Sequence, residues 1–450
     1  MPVKGAIKEI QRGIEADLDR FDVPGASWAL VEGGEIIHQA GAGRLEAGRA
    51  DPVTTQTLFQ ACSISKPITV FAMLRLVDRG LLDLDEDVNR HLTSWQVPPT
   101  GDWQPVVTLR QLASHSAGLT TWGFPGYRYD AEVPTALQVL DGLPPANTLG
   151  VRVDLVPGTQ SRYSGGGTVV IQQLLEDVTR TPFRQLMREL VLDPLGMTNS
   201  DYAQPLPEEL HSRAATAHDE SGRPLEGRWH TYPELAAAGL WTTPGDLATF
   251  ALAVQSSYGA AEGALLSPDV GRELLSRQVP AADRVGGLDA LGLGLFVGGT
   301  GEGSKFGHSG GNEGFRCHLL AYRDTGQGAA VMTNSDNGAW LVQKTLASIA
   351  SAYGWRDYPM ELAERDMPDV DVVDDLAGTY RLRGELTFEV AADGRGLVVT
   401  FAGQRPMRFV ATSAEGFAAR TTDTELRIGE GDGELVLVQA GEEIVCPLLK

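Results

Sequence analysis

The chain has 450 residues, more than the ~250 to 300 at which a single hydrophobic core usually stops growing, so we expect two domains. Hydrophobic residues make up 42% and charged residues 21%, which excludes wholesale disorder and fibrous repeats. Lys and Arg number 37 against 59 Asp and Glu, and the net charge of −22 disfavours nucleic acid and anionic membranes as partners.

The N-terminal segment is predicted to form an amphipathic helix. Its apolar residues recur at helical spacing: Ile7, Ile10, Ile14 and Leu18. Charged residues separate them, unlike the uninterrupted apolar core of a secretion signal, and no stretch approaches the ~20 apolar residues that span a bilayer. We therefore expect a cytoplasmic protein with no membrane partner.

Strand and helix signals follow in alternation. Ala26 to Val31 and Glu35 to Ala40 are β-prone runs separated by a Glu-Gly-Gly turn, which predicts a hairpin. Apolar residues from Pro67 to Leu82 predict a helix that begins at or just before Ser63. Later segments read as two helices, two strands and a third helix: Val169 to Val178, Phe183 to Leu190, Cys317 to Tyr322, Ala329 to Asn334 and Trp340 to Tyr353.

The region from about 85 to 300 also contains long Gly- and Pro-rich connections. Thr121 to Tyr127 and Leu143 to Gly150 are examples. Loops of this length usually serve as binding walls or lids. The aromatic residues of the first loop are therefore candidates for substrate contact, although ordinary core positions explain them equally well.

An acidic, Pro-containing segment, Asp357 to Asp375, predicts a domain boundary near residue 365. We expect domains at 1–362 and 373–450. Eight short β-prone runs lie between Thr379 and Leu448 at near-regular spacing, which predicts a small barrel or sandwich.

The strongest chemical signal is Ser63 followed three residues later by Lys66. On a helix these positions share a face, so a hydroxyl nucleophile and an amine base can meet. At a helix start, unpaired amides also favour an oxyanion nearby. By itself the pattern is more often that of a helix cap followed by a solvated lysine.

Two further motifs occur in the same chain. Tyr163 follows Pro157-Gly158 on a loop before a helix, where a phenol can relay protons if a nearby charge lowers its pKa. His308 lies in Phe-Gly-His-Ser-Gly-Gly, where small residues let a substrate approach a strand. Taken singly, these motifs read as a packed tyrosine and a Gly-rich hairpin.

Cysteines and metals give weaker signals. Cys62, Cys317 and Cys446 are far apart in sequence, which favours free thiols in a reducing compartment. Cys62 adjoins Ser63, but without a nearby His it reads as a buried small side chain. No metal site or other cofactor is predicted, because the eight His residues never pair with Cys or carboxylates at ligand-like spacing.

Together, the three motifs resemble the serine β-lactamase and penicillin-binding-protein family, in the branch of class C β-lactamases, D,D-peptidases and related esterases. Leu112 to Leu119, Asp193 to Met197 and Ala238 to Leu247 support the resemblance, which covers roughly residues 10 to 350. It implies an α/β-type catalytic domain, with an antiparallel sheet flanked by helices plus an all-α region, and a cleft between them.

The resemblance also implies roles for individual residues. Ser63 would be the acylated nucleophile, Lys66 its base, Tyr163 a second proton carrier and His308 a residue of the strand that edges the cleft. The N–H groups of Ser63 and Gly311 would form the oxyanion hole. Further residues implied in substrate binding are Gly165, Ser309, Gly310, Trp122, Phe124 and Tyr127.

Two departures from the lactamase pattern bear on the substrate. Gly165 stands where those enzymes usually carry Asn, and His308 stands where they carry Lys. We expect His308 to be a weaker, pH-dependent cation near neutrality. Efficient β-lactam hydrolysis is therefore disfavoured.

The C-terminal region, entered at Asp375 to Tyr380, resembles the lipocalin-like barrel found in some members of this family. Penicillin-binding-protein-type thioesterases that release and macrocyclise nonribosomal peptides pair such a barrel with the catalytic domain. The resemblance implies a peptidyl thioester or ester substrate, presented on a carrier protein in one version of the reaction. The alternatives are a cytoplasmic carboxylesterase or D-amino-acid peptidase or amidase, and a catalytically inactive binding protein.

Overall fold

A computed structural model describes residues 3–285, 287–359, 370–384, 386–393, 396–404, 406–419, 424–431, 433–439 and 442–449. The chain forms two compact units, Met1–Pro359 and Met360–Lys450. The boundary predicted near residue 365 lies outside the described residues, and the limits 1–362 and 373–450 stay predictions.

The first unit combines one large sheet with helices on both faces. Its helices are α1 Val3–Arg20, α2 Ser65–Asp78, α3 Leu109–Ala113, α4 Ala136–Asp141, α5 Gly165–Thr179, α6 Phe183–Met187, α7 Asp193–Leu195, α8 Leu235–Ala238, α9 Pro244–Tyr258, α10 Pro268–Leu274 and α11 Gly338–Tyr353. Its strands are β1 Gly25–Glu32, β2 Glu35–Gly43, β3 Phe59–Gln60, β4 Trp241–Thr242, β5 Val279–Val285, β6 Leu288–Leu291, β7 Phe296–Gly298, β8 Lys305–Asn312, β9 Phe315–Tyr322 and β10 Gly328–Thr333.

Within the described residues, eight of these strands form an antiparallel sheet in the order β2-β1-β10-β9-β8-β7-β6-β5, and β3 pairs with β4. The N-terminal hairpin therefore pairs with β10, near the end of the unit. This arrangement confirms the predicted antiparallel sheet flanked by helices.

Helices cover the sheet because their apolar faces need burial. The predicted N-terminal helix is α1, whose Ile10, Ile14 and Leu18 are buried with Leu346 of α11 in one core cluster. A larger cluster on the other side contains α2, which is buried along nearly its whole length from Ser65 to Leu76. A helix buried on all sides holds its first turn in a fixed position.

The second unit is a closed all-β barrel, which confirms the expected architecture and excludes a sandwich. A short helix, α12, precedes the strands at Val370–Asp375. The described strands are β11 Gly378–Arg383, β12 Leu386–Asp393, β13 Gly396–Phe401, β14 Met407–Ser413, β15 Gly416–Ala419, β16 Thr424–Ile428, β17 Glu434–Gln439 and β18 Glu442–Leu449. Apolar side chains, among them Phe388, Phe409 and Phe417, form its core.

Among the helices that the structure describes, none has both the length and the apolar character required to cross a membrane.

Candidate active site

Ser63 and Lys66 are in contact, as the motif predicts. Ser63 lies in a single 3-10 turn, Cys62–Ile64, directly before α2, and Lys66 lies in the first turn of α2. The Lys66 Nζ atom is 2.9 Å from the Ser63 Oγ atom. Ser63 is partly exposed whereas Lys66 is buried, so a ligand can reach the hydroxyl while the amine stays shielded from water.

The sheet holds the Ser63 turn from one side. A Cβ atom placed on Gly310 of β8 would lie 2.5 Å from the Ala61 carbonyl oxygen and 2.9 Å from the Cys62 Cβ atom. Only glycine permits so close an approach of strand and turn. The Asn312 side chain adds a 2.7 Å hydrogen bond to Gln60 Oε1 on β3. The spacing between Ser63 and β8 is therefore fixed by packing.

Burial changes the acid–base behaviour of Lys66. Its Nζ atom also donates to the Ala237 carbonyl oxygen at 2.8 Å, but no carboxylate among the described residues bonds to it. Removal from water disfavours the ammonium form and lowers the pKa of Lys66 to about 7. Near neutral pH a large share of the side chain is an uncharged amine, which can accept a proton.

Tyr163 lies next to this pair, two residues before α5. The Lys66 Nζ atom is 5.0 Å from the centre of its ring, and the phenol shares a hydrogen bond with the Ser63 side chain. Sequence reasoning invoked a lowered pKa, but the structure gives the opposite result. Burial raises the pKa of Tyr163, and the bond to Ser63 opposes this only in part. Tyr163 therefore remains a proton donor at neutral pH.

His115 supports Tyr163 and was not singled out as a functional residue. The His115 and Tyr163 ring centres are 4.3 Å apart, and the Ser164 backbone N–H donates to His115 Nδ1 at 3.2 Å. Burial lowers the pKa of His115 well below its ordinary value, and the charge of Lys66 lowers it further. The neutral imidazole packs against the Tyr163 ring without adding charge to the site. The Leu112 to Leu119 segment was its only sequence signal.

His308 lies on β8, 6.1 Å from Tyr163 between ring centres. Its Nδ1 atom donates to the Ser309 carbonyl oxygen at 2.6 Å, while its buried Nε2 atom has no partner among the described residues. The expectation of a pH-dependent cation near neutrality needs correction. Burial, and then the charge of Lys66, lower the pKa of His308 to about 3, so the imidazole is neutral at physiological pH.

The remaining residues of the strand motif differ in exposure. Ser309 is half-buried and Gly311 is exposed, whereas Gly310 is packed against the nucleophile turn. Gly311 lies one residue beyond this contact and is reachable from solvent. The assignment of the Ser63 and Gly311 N–H groups to an oxyanion hole stays a prediction.

The comparisons with known proteins agree with this geometry. The chain matches the Beta-lactamase family over residues 10–354, which is most of its length. This chain belongs to the β-lactamase family. Membership establishes the serine-hydrolase class that the Ser63–Lys66 contact indicates.

Relatives within the β-lactamase family are distant. The chain is 29% identical over 213 residues to esterase EstB of Burkholderia gladioli, an alignment that covers 45% of this chain and 53% of EstB. The chain thus spans about half the length of the curated relatives it matches.

Solved structures show the same fold over nearly the whole chain. A penicillin-binding protein homologue from Pyrococcus abyssi is similar with a TM-score of 0.67 at 20% identity, over 98% of this chain and 99% of that one. SurE is similar with a TM-score of 0.63 at 23% identity, over 99% of both chains. At these identities the likeness establishes the fold.

The departure from the lactamase pattern at Gly165 has a structural counterpart. A Cβ atom at Gly165 would lie 2.9 Å from the Phe124 ring, so the loop fills space that a side chain at 165 would need. The Gly165 N–H donates to the Trp122 carbonyl oxygen at 2.9 Å, which anchors the loop to α5. Trp122 itself is 73% exposed, and its ring centre is 5.8 Å from that of Tyr163.

The three loop aromatics therefore differ in position. Trp122 is exposed beside Tyr163, and Phe124 is half-buried against α5. Tyr127 is buried, and its hydroxyl accepts a hydrogen bond from the Asn147 N–H at 3.0 Å. Its burial favours a structural role, the alternative that the sequence left open.

Glu234 is a second feature that sequence reasoning missed. It lies directly before α8, whose Ala237 carbonyl binds Lys66, and it is fully buried. Neither carboxyl oxygen has a hydrogen-bond partner among the described residues, and burial raises the pKa of Glu234 to about 8. At neutral pH the group is predominantly a neutral acid, which no sequence pattern could reveal.

The three cysteines are free and buried. The Cys62 thiol donates to the Gln60 carbonyl oxygen at 3.2 Å, consistent with a packed small side chain. Among the described residues, no group of three or more His, Cys, Asp and Glu side chains could hold a metal ion.

Proposed function

We propose that this protein forms an acyl-enzyme on Ser63 and uses it to release and macrocyclise a nonribosomal peptide supplied as a peptidyl thioester. One observation carries the acyl-transfer part: the Ser63 hydroxyl is 2.9 Å from the amine of Lys66, whose pKa is about 7. A base with this pKa is well matched to proton transfer at neutral pH.

In the first half-reaction, Ser63 Oγ attacks the thioester carbonyl carbon as Lys66 Nζ takes the hydroxyl proton. The C–O bond forms, the C–S bond breaks, and the leaving thiolate takes a proton from Tyr163 or Lys66. The backbone N–H groups of Ser63 and Gly311 donate hydrogen bonds to the carbonyl oxygen as negative charge develops on it. Loss of one such donor typically costs about 3 to 4 kcal/mol of transition-state stabilisation.

In the second half-reaction, the amine at the other end of the peptide attacks the acyl carbon. The C–N bond forms, the ester C–O bond breaks, and the amine's proton passes through Lys66 back to Ser63 Oγ. Cyclisation requires this amine to outcompete water, which a sheltered cleft can arrange through high effective molarity. The anchored loop with exposed Trp122 beside Tyr163 is the wall we assign to that task.

The substrate assignment rests on chemistry around the nucleophile and on the C-terminal barrel. A side chain is missing at Gly165, and His308 is neutral, so the site lacks two groups expected of a β-lactamase. The closed barrel supports the resemblance to thioesterases that pair such a domain with the catalytic domain. We further propose that a carrier protein donates the thioester and that the reaction takes place in the cytoplasm, where the free thiols remain reduced.

Product analysis tests the proposal. A linear peptidyl thioester ending in a D-residue is incubated with the protein, and the products are separated and weighed by mass spectrometry. A structure of SurE with D-Leu supports this choice of terminal residue. We expect a macrocycle, 18 mass units lighter than the linear acid, that is absent with Ser63→Ala; linear acid alone contradicts cyclisation.

A carboxylesterase or D-amino-acid peptidase or amidase is the second candidate. The relation to esterase EstB favours it, and it uses the same residues with water as the acceptor. It predicts only linear acid from the thioester and turnover of simple esters.

A catalytically inactive binding protein is the third candidate. It predicts no covalent adduct with a fluorophosphonate. Our proposal predicts labelling that Ser63→Ala abolishes and that Ser65→Ala, at a buried hydroxyl in the same segment, does not abolish.

A further inference from the structure

One cavity of the first unit has no role in the chemistry above. It has a volume of about 330 Å³ and lies among the ends of α9 and β9, helix α10 and the turn between β7 and β8. Four of its lining residues are basic: Arg272, Arg277, Lys305 and Arg323. None of the described residues that line it is Asp or Glu. We call it the cationic cavity.

Each arginine of the cationic cavity has one carboxylate partner that does not line it. The pairs are Arg272–Asp269 at 3.2 Å, Arg277–Asp289 at 2.7 Å and Arg323–Asp324 at 2.7 Å. Ion pairs with this much exposure contribute only about 0 to 1 kcal/mol, because water screens them. A guanidinium has five N–H donors, so one carboxylate leaves donors for a second anion.

Lys305 is the buried member of the group, with 3% of its surface exposed. Its ammonium donates to the Asp357 backbone carbonyl at 2.5 Å, an uncharged acceptor that leaves two further N–H donors. Burial lowers the pKa of Lys305, while the charges of Asp357 and Asp289 oppose that shift. The ammonium also lies 5.8 Å from the centre of the Tyr322 ring, so we assign anion binding to the three arginines.

Other lining residues suit a compact oxyanion. Arg323 lies 4.5 Å over the Tyr258 ring, which orients its guanidinium plane. Ser276 and Ser304 contribute hydroxyl groups, and Gly298 and Gly299 line the cavity without side chains. Such a lining offers donors from several directions rather than along one line.

We propose that the cationic cavity binds the phosphate group of a small phosphorylated molecule. A tetrahedral dianion has acceptor oxygens facing several directions, and arginine side chains match it with paired hydrogen bonds. The volume lies at the lower end of the range for ligand pockets, which suits a small molecule. The site is separate from Ser63, so its occupation does not depend on the acyl-transfer proposal.

Calorimetric titration of the full chain tests this site. The probes are pyrophosphate and inorganic phosphate, with succinate as a carboxylate dianion and sodium chloride at matched ionic strength. We expect saturable binding of the phosphates, with pyrophosphate the tighter, and weaker binding of succinate. No saturable phosphate binding, or succinate binding as tightly as the phosphates, overturns the proposal.

Variants locate the binding. Loss of one charge-assisted hydrogen bond corresponds to roughly tenfold or more in Kd, so we expect at least that loss in both Arg277→Gln and Arg323→Gln. Arg90→Gln is the matched control, because Arg90 is ion-paired with Glu86 at 2.7 Å but does not line the cavity. Far-UV circular dichroism and the Tm of every variant report whether the fold is intact. Phosphate binding that survives both cavity substitutions refutes the assignment.

Discussion

Replacing Lys66 with Met separates the cost of burying an amine from its catalytic use. Burial lowers the pKa of Lys66 from 10.5 to about 7. The unfolded lysine therefore binds more protons between pH 7 and 10.5, and wild-type stability rises with pH across that window. Each pKa unit corresponds to about 1.4 kcal/mol, so at pH 7 the buried lysine costs about 4 kcal/mol of stability.

Lys66→Met removes this cost but leaves the Ala237 carbonyl without its donor, and that loss destabilises the variant by about 1 to 3 kcal/mol. We expect Lys66→Met to be more stable than the wild type at pH 7 by about 1 to 3 kcal/mol, with the gap closing or reversing by pH 10. The assay is thermal unfolding at several pH values, with Lys8→Met at an exposed position of α1 as control. A stability difference that does not change between pH 7 and 10 refutes the reasoning.

Acylation should also rise with pH, through the titration of Lys66 in the folded protein. Because the neutral amine is the base, the rate of fluorophosphonate labelling should fall about tenfold per pH unit below pH 7 and level off above pH 8. Lys66→Met should remove the pH dependence together with most of the rate. Wild-type labelling that is flat from pH 5 to 8 contradicts a base with this pKa.

Three further substitutions give distinct outcomes. Tyr163→Phe should slow acylation by about 10²- to 10⁴-fold in stopped-flow labelling, because a proton donor is lost; an unchanged rate excludes that role. Gly310→Ala should lower both the Tm and the acylation rate, because the new Cβ atom would lie 2.5 Å from the Ala61 carbonyl oxygen. The control Gly13→Ala adds a Cβ atom in open space and should lower neither quantity. A normal labelling rate for Gly310→Ala contradicts the packing argument. Glu234→Gln should flatten the pH dependence of Tm, because the raised pKa of about 8 makes wild-type stability fall as pH rises from about 4.5 to 8; parallel Tm profiles contradict this.

Local sequence was informative where chemistry depends on local geometry. The Ser63–Lys66 contact follows from helical spacing, and structure places the two atoms at 2.9 Å. The barrel strands could be predicted because apolar residues alternate along them, as the burial of β16 and β17 shows. The resemblance then supplied the long-range order that brings Tyr163 and His308 to the same site.

Properties that depend on tertiary burial could not be predicted in this way. The pKa of Tyr163 is raised rather than lowered, because burial outweighs its hydrogen bond to Ser63, and the pKa of His308 falls to about 3, because burial and the charge of Lys66 act in the same direction. His115 was missed because its contact with Tyr163 joins segments distant in the sequence, and Glu234 was missed because its burial depends on the tertiary fold. The contact between the Phe124 loop and Gly165 likewise joins segments about forty residues apart.

Intact-mass spectrometry of the protein after brief exposure to a peptidyl thioester tests the central claim most directly. We predict a mass increase equal to the acyl group, located on Ser63 by peptide mapping, lost in Ser63→Ala and slowed at pH 5. Thioester consumption by Ser63→Ala at the wild-type rate, or an adduct on another residue, would show that the Lys66-activated hydroxyl is not the nucleophile.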